Sequence, residues 1–328
     1  MRHSNDWTAA AVRRVTALSP TVREIELEPE GGAPSWTPGS HLQVRVRLQD
    51  GRIDTRHYSL VGRPDGRGCR IAVKRTEASR GGSRFMTGLQ AGDRIEVLPP
   101  NNHFELPAGA APTLLLAGGI GITPLVGMAQ VLAERGAWLR LAYAARSTAE
   151  LVYADELRAL LGDRLATFAG DAGQRIDLAA EIAALPADAQ ALVCGPLPLM
   201  QAAQAAWAAA GRAAERLRFE TFGAGGALPA QAFTARLPRH GLEIQVPADR
   251  SLLEVLEANG IELLSDCRRG ECGLCAIDVL AVEAGQIDHR DVFFDAQQRS
   301  AGRQLCACVS RLCGPGATVV LDSAYRPD

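Results

Sequence analysis

The cysteines constrain this chain more than any other feature. Six of the eight (Cys267, Cys272, Cys275, Cys306, Cys308 and Cys313) crowd into the C-terminal part, and the first three form the loop Cys267-Arg-Arg-Gly-Glu-Cys272-Gly-Leu-Cys275. The start, MRHSNDWTAA, lacks the charged and apolar blocks of a signal peptide, and no apolar run approaches the roughly 18 residues of a membrane span. These features predict a cytoplasmic protein without membrane attachment. Thiols in a reducing compartment do not pair as disulfides, so their crowding signals a metal or cofactor.

The loop reads C-x4-C-x2-C, with a fourth cysteine available later at Cys306 or Cys308. That is the spacing of a plant-type [2Fe–2S] cluster, for which three thiolates come from one tight loop and a fourth from a distant segment. Gly270 and Gly273 permit the wrap, since a residue without Cβ takes the positive φ angles that turn backbone N–H groups toward sulfur. A structural zinc site more often pairs two short knuckles, and only one is present here. Spacing alone leaves Cys306 and Cys308 both open as the fourth ligand.

The remainder is ordinary globular material, 47% hydrophobic and 22% charged, and 328 residues predict two or three domains, with three as the working number. A formal charge of −2 without a basic run argues against nucleic-acid binding. Residues 232–328 carry 10 Arg against 14 Asp and Glu, a mild acidic bias that fits either docking on a basic partner or a solvated surface.

From Arg23 to Leu98 the hydrophobic pattern has period two, clearest at Leu42, Val44, Val46 and Leu48, and similar runs at REIEL, RIAV and RIEVL point to a small antiparallel barrel or sandwich. After Pro107 to Pro112 the continuous run TLLLA reads as a strand buried on both faces. A helix follows, with Thr123 as its cap and Pro124 at its first position. WLRLAYAA and ALVCG alternate with Ala-rich helical stretches, the order of an α/β domain. GAGGALPAQ has linker character. Beyond it FTARLP and LEIQV form a hairpin, and Ser251 with Glu254 makes a capping box for a helix that Gly260 terminates.

Two further motifs suit phosphate. Arg56-His57-Tyr58-Ser59 offers a guanidinium for a phosphate and a phenol ring for an apolar ring system, and Arg80-Gly81-Gly82-Ser83 offers N–H groups and a hydroxyl. Read singly, either motif is equally a surface ion pair or a turn. Gly118-Gly119-Ile120-Gly121-Ile122-Thr123-Pro124 is a Gly-rich strand-to-helix turn able to present N–H groups to a pyrophosphate, although it is not G-x-G-x-x-G.

Taken together these motifs resemble the phthalate dioxygenase reductase and vanillate O-demethylase reductase family over nearly the entire chain. The resemblance implies a multidomain fold: an antiparallel β-barrel for flavin at 1–106, an α/β parallel-sheet nucleotide domain at 107–224, a linker at 225–231, and a β-grasp plant-type ferredoxin domain at 232–328. Cys308-Val309-Ser310-Arg311 matches the family's last-ligand motif, so the implied metal ligands are Cys267, Cys272, Cys275 and Cys308, with Cys306 and Cys313 as bystanders. The implied FMN set is Arg56, His57, Tyr58, Ser59, Lys74, Arg80, Gly81, Gly82, Ser83, Thr123 and Phe222. The implied NAD set is Gly118, Gly119, Gly121, Arg146, Cys194, Gly195 and Pro196, with Thr123 and Cys194 near the flavin and nicotinamide.

By this resemblance the chain is an NADH-dependent flavin and iron–sulfur oxidoreductase, a monomer whose cofactors are FMN, a [2Fe–2S] cluster and NADH. NADH gives hydride to FMN, and the electrons leave singly through the cluster to the Rieske centre of a partner oxygenase acting on an aromatic or similar small substrate. No acid–base catalyst is expected, because the cofactors carry the chemistry. The residues alone do not separate NADH from NADPH. Two other readings remain: a cytochrome P450 or other oxidase as acceptor, or a redox-sensing iron–sulfur regulatory protein.

Overall fold

The computed structural model describes residues 7–76, 81–222 and 228–323. Arg80, expected in the phosphate cradle, and residues 225–227 of the expected linker lie outside the described residues. Among those described, no helix is long and apolar enough to cross a membrane. The chain separates into two compact units, one of Met1–Gly195 with Ala202–Glu220, the other of Pro196–Gln201 with Thr221–Asp328.

The first unit opens with β1 (Thr8–Ala17), β2 (Val22–Pro29), β3 (Ser40–Arg47), β4 (Ile53–Ser59) and β5 (Cys69–Lys74), then a short helix α1 (Gly82–Gly88), β6 (Arg94–Val97) and β7 (Asn101–Asn102). The strands form one antiparallel sheet in the order β4-β3-β6-β1-β2-β5, with β7 on β3. Leu60, just past β4, bridges Ile71 of β5, so the two outer strands meet and the sheet closes. Leu42, Val44 and Val46 are fully buried, as the period-two pattern requires. The alternation was read from Arg23 onward and so passed over β1. That strand is Ala-rich, and its register shifts between Val12 and Arg14, which breaks the period.

The same unit continues with β8 (Thr113–Gly118), α2 (Ile122–Glu134), β9 (Leu139–Ala145), α3 (Ala154–Leu161), β10 (Leu165–Ala169), α4 (Leu178–Ala183) and β11 (Gln190–Cys194). After α5 (Leu197–Ala209), which begins in the second unit, comes β12 (Leu217–Glu220). The sheet is wholly parallel in the order β10-β9-β8-β11-β12. All six residues of β8 are buried, which explains why TLLLA shows no alternation. The chain runs outward from β8 through β9 and β10, then crosses back to β11. The strand order therefore reverses between β8 and β11, where open α/β sheets bind their ligands.

In the second unit β13 (Phe233–Leu237) and β14 (Leu242–Val246) make the expected hairpin, followed by α6 (Leu252–Ala258), β15 (Ala276–Asp288), α7 (Ala296–Ala301), β16 (Gln304–Cys306) and β17 (Arg311–Asp322). The sheet order is β14-β13-β17-β15-β16, with β13 and β17 parallel. The Ser251–Glu254 capping box is present, and α6 buries Leu252, Leu253, Val255 and Leu256 in the core of this unit. The described end of the expected linker is fastened along this unit: Leu228 and Gln231 accept from Arg290 and Arg311 through their carbonyls, and the Gln231 side chain accepts from Gly314 N–H.

Candidate functional site

Three groups of residues were singled out by sequence, and each has a definite setting. The cysteine loop leaves α6, to which it is tied by Arg268 on Glu257, and turns sharply, with φ of 50° at Arg268, 75° at Gly270 and 72° at Gly273. The turn brings the N–H groups of Arg269, Glu271 and Cys272 to 3.4 Å from Cys267 Sγ. Such donors stabilise a ligating thiolate. Burial nonetheless pushes the free Cys267 thiol up to about 11, with those N–H groups acting in the opposite direction.

The distant segment closes over this loop from β16. Ala307 N–H donates to Cys275 C=O at 3.0 Å, and Cys306 lies opposite Ala276 in the strand register. The neighbouring thiols of Cys306 and then Cys308 hold the Cys275 thiol below its ordinary value, against the effect of burial. Cys275 and then burial push the thiols of Cys306 and Cys308 up from their ordinary value. Cys313 sits on β17 with its thiol directed to the Pro229 carbonyl. Cysteine donors brought together from two segments, beneath N–H groups aimed at sulfur, fit the chemistry of a [2Fe–2S] cluster.

Two braces around this loop were not read from the sequence. Thr221 N–H donates to the Glu271 carboxylate and its hydroxyl to Arg269 C=O, while Arg269 pairs with Glu271. Burial raises Glu271, and Arg269 and then Thr221 act to lower it. On the other side Asp291, fully buried, accepts from Phe294 N–H at 2.9 Å and Ser310 Oγ at 3.1 Å, and Val292 N–H donates to Gly270 C=O at 3.0 Å. A Cβ on Gly270 would fall 2.9 Å from Asp291 Cα, so only glycine permits this approach. The signal was the run Asp288-His289-Arg290-Asp291, four ionisable residues that turn out to be inside.

The flavin motif lies on β4. Arg56 and Tyr58 share one face of the strand by alternation, and His57 and Ser59 the other. The Arg56 side chain runs under Gly82, where a Cβ would be 2.9 Å from its Nε, so the two phosphate motifs meet. Arg56 also pairs with Asp54 at 2.6 Å. Gly81 takes φ of 114° ahead of α1, and Ser83 Oγ accepts from Thr76 N–H at 3.2 Å. His57 stacks on His41, centroids 5.1 Å apart. Ser59 Oγ donates to Glu220 at 2.9 Å, a buried carboxylate at the end of β12 that the sequence reading passed over although it adjoins the quoted Phe222. The Lys74 ammonium is engaged by Glu150 at 2.8 Å, and Phe222 is exposed.

The nucleotide motifs occupy the point where the sheet order reverses. Gly118 ends β8, Gly119 to Gly121 form a 3-10 turn, and Cys194 ends β11 before Gly195 and Pro196. A Cβ at Gly121 would lie 2.2 Å from the Cys194 carbonyl oxygen, so the two loops touch through backbone alone. Thr123 is not the cap expected of it. The 3-10 turn already feeds α2, with Ile122 N–H reaching Gly119 and Ile120 carbonyls, so the helix starts at Ile122 and Pro124 is its third residue. The Thr123 hydroxyl donates instead to Ile120 C=O at 3.0 Å. Arg146 is exposed after β9, and the neighbouring strand β10 delivers Asp171 beside it: Asp171 N–H donates to Arg146 C=O at 2.9 Å, and its carboxylate accepts from Thr148 N–H.

Comparison with known proteins agrees with these settings. Residues 237–313 match the 2Fe-2S iron-sulfur cluster binding domain family, and residues 115–205 match the oxidoreductase NAD-binding domain family. The chain is 40% identical over 321 residues to the heme-dependent oxidative N-demethylase beta subunit of Ectopseudomonas mendocina (strain ymp), covering 97% of this chain and 98% of that one. It is 34% identical to the carnitine monooxygenase reductase subunit of Escherichia coli (strain K12), covering 95% and 97%. The solved structure of phthalate dioxygenase reductase, described as a modular structure for electron transfer from pyridine nucleotides to [2Fe-2S], aligns with a TM-score of 0.72 at 30% identity over 97% of this chain and 98% of that one. A NAD-binding domain, a closed antiparallel sheet and a [2Fe–2S] domain in one polypeptide, matched end to end by these reductases, place the chain in the phthalate dioxygenase reductase family, the oxidoreductases that serve as reductase components of oxygenase systems.

Proposed function

We propose that the chain takes electrons from NADH through FMN and a [2Fe–2S] cluster to the Rieske centre of a separate oxygenase chain that hydroxylates or demethylates an aromatic or similar small substrate. The observation that carries this reading is the cysteine arrangement, two ligand segments closed over one another with three N–H groups directed at Cys267. Residues 1–106 then serve flavin, 107–224 the nucleotide and 232–328 the cluster. When bound, flavin and cluster together supply the conversion of a two-electron donor into single electrons.

The residues hold and orient. Arg56, crossing Gly82, supplies a charge-assisted donor for the flavin phosphate, and Gly81 and Ser83 frame it. Gly118, Gly119 and Gly121 present backbone to the pyrophosphate at the sheet's reversal point. Asp171 supports NADH over NADPH, because a carboxylate accepts from ribose hydroxyls and repels a 2′-phosphate. Cys267, Cys272, Cys275 and Cys308 are the four cluster ligands. Cys308 is favoured over Cys306 because Cys308-Val309-Ser310-Arg311 matches the last-ligand motif of the family.

A second acceptor, a haem iron, has its own support in the name of the 40% identical relative. The deciding experiment mixes the NADH-reduced protein anaerobically with each class of oxygenase. Bleaching of the Rieske absorption is the expected result, and electron delivery only to the haem protein selects the second reading. A purified protein that holds zinc and no iron, or whose flavin NADH does not reduce, overturns both.

A further inference from the structure

Thr221 directly follows the last residue of β12, belongs to the second unit, and is buried. A buried threonine ordinarily satisfies whatever carbonyl lies nearest, and that bond is its whole contribution. The two bonds of Thr221 share a destination. Its hydroxyl donates to Arg269 C=O at 2.8 Å and its N–H to the Glu271 carboxylate, 48 and 50 positions along the chain. Arg269 and Glu271 are also two of the three residues whose N–H groups point at Cys267 Sγ, each at 3.4 Å. The residue between them is held by a different segment, since Val292 N–H donates to Gly270 C=O at 3.0 Å. Residues 269–271 thus each have an anchor outside the cysteine loop. Gly270, with φ of 75°, allows the turn but adds no stiffness to it, so the anchors set where the N–H groups point.

We infer that Thr221 is a positioning residue for the cluster: by pinning Arg269 and Glu271 it holds their N–H groups on Cys267 Sγ and thereby raises the cluster's reduction potential. The inference rests on the reading of Cys267 as a cluster ligand. Its physical basis is that N–H donors to a ligand sulfur stabilise the reduced cluster, which carries more negative charge, over the oxidised one. Without the hydroxyl, Arg269 C=O loses its bond to Thr221, the run 269–271 gains freedom, and the N–H contacts to sulfur weaken. A weakening by the worth of about one hydrogen bond changes the reduction equilibrium by about two- to fivefold. That is roughly 20–40 mV at about 59 mV per tenfold for a one-electron couple.

The test is a potentiometric titration of the full-length holoprotein, read by the EPR signal of the reduced cluster, in unmutated protein, Thr221→Val and Thr221→Ser. Thr221→Val keeps the shape and loses the hydroxyl, and its midpoint is expected to fall by that amount. Thr221→Ser keeps the hydroxyl and is expected to lie closer to the unmutated value. A Thr221→Val midpoint that is unchanged or higher overturns the inference, and so does an equal fall in both variants, which would assign the effect to packing. Should Thr221→Val yield no holoprotein, proton ENDOR of the reduced cluster after transfer into deuterium oxide decides in the other two proteins. Slow exchange of the cluster-coupled amide protons in both supports the brace, and fast exchange in either overturns it. An unmutated protein with no EPR signal from a reduced cluster overturns the cluster reading and the inference with it, whereas failure of the brace alone leaves that signal intact.

Discussion

Ser59 Oγ donates a hydrogen bond to Glu220 Oε2 at 2.9 Å although the two residues are 161 positions apart, and both are buried. One ends β4 of the closed antiparallel sheet, the other ends β12 of the parallel sheet, so a single bond joins the flavin motif to the nucleotide half of the unit. A buried hydroxyl-to-carboxylate bond is worth about 1.5–3 kcal/mol. In a double-mutant cycle of Ser59→Ala and Glu220→Gln the two changes should fail to add by about 0.5–3 kcal/mol in unfolding free energy. Additive losses would show that the contact is incidental.

Arg56→Ala removes the guanidinium that crosses Gly82. The charge-assisted contact it would make with a phosphate is worth about 1.5–3 kcal/mol, so FMN should bind roughly ten- to a hundredfold more weakly. Equilibrium titration of the apoprotein with FMN measures this directly, and unchanged affinity would remove Arg56 from the phosphate site.

Cys308→Ala should abolish the cluster's visible absorption and EPR signal and, with them, NADH-dependent reduction of one-electron protein acceptors. Reduction of the flavin by NADH should persist, since Cys308 lies in the second unit and the motifs of the flavin barrel lie in the first. Stopped-flow absorbance separates the two events.

Asp171→Ala should narrow the preference for NADH over NADPH by about tenfold in kcat/KM, equivalent to about 1.4 kcal/mol, mainly by admitting NADPH. The Asp171 carboxylate accepts from Thr148 N–H, which fixes it at the edge of the sheet next to Arg146. Steady-state kinetics with both nucleotides gives the ratio, and an unaltered ratio would leave the discrimination to other residues.

The Glu150 carboxyl is held below the usual carboxylate range, first by its bond with Lys74, against the effect of burial, and also by Thr21. A depressed folded-state pKa stabilises the fold above the unfolded value, about 4.3 for Glu, and that stabilisation is lost as pH falls through the lower folded-state value. Denaturant unfolding at stepped pH should therefore show a shallower acid decline in Glu150→Gln than in the unmutated protein. Parallel acid limbs would mean that the Lys74–Glu150 pair is neutral to stability.

What the chain's residues determine alone are the parts whose chemistry is local. The Cys267 to Cys275 loop, its glycines, the Gly118 to Gly121 turn, the Ser251–Glu254 capping box and the period-two strands were all legible, because turn geometry, capping and alternation depend on neighbours a few positions away. The helix start at Ile122 was misplaced for a related reason: a Thr-Pro pair looks like a cap, and only the 3-10 turn before it shows the N–H groups already satisfied. Tertiary structure decided the long-range partnerships. Glu220 on Ser59, Asp171 beside Arg146 and Asp291 behind Gly270 each join segments with no shared local pattern. A carboxylate or thiol carries no mark of its partner until strand order and register bring the two together, and burial then makes the pairing obligatory, since an unpaired polar group inside costs more than the bond returns.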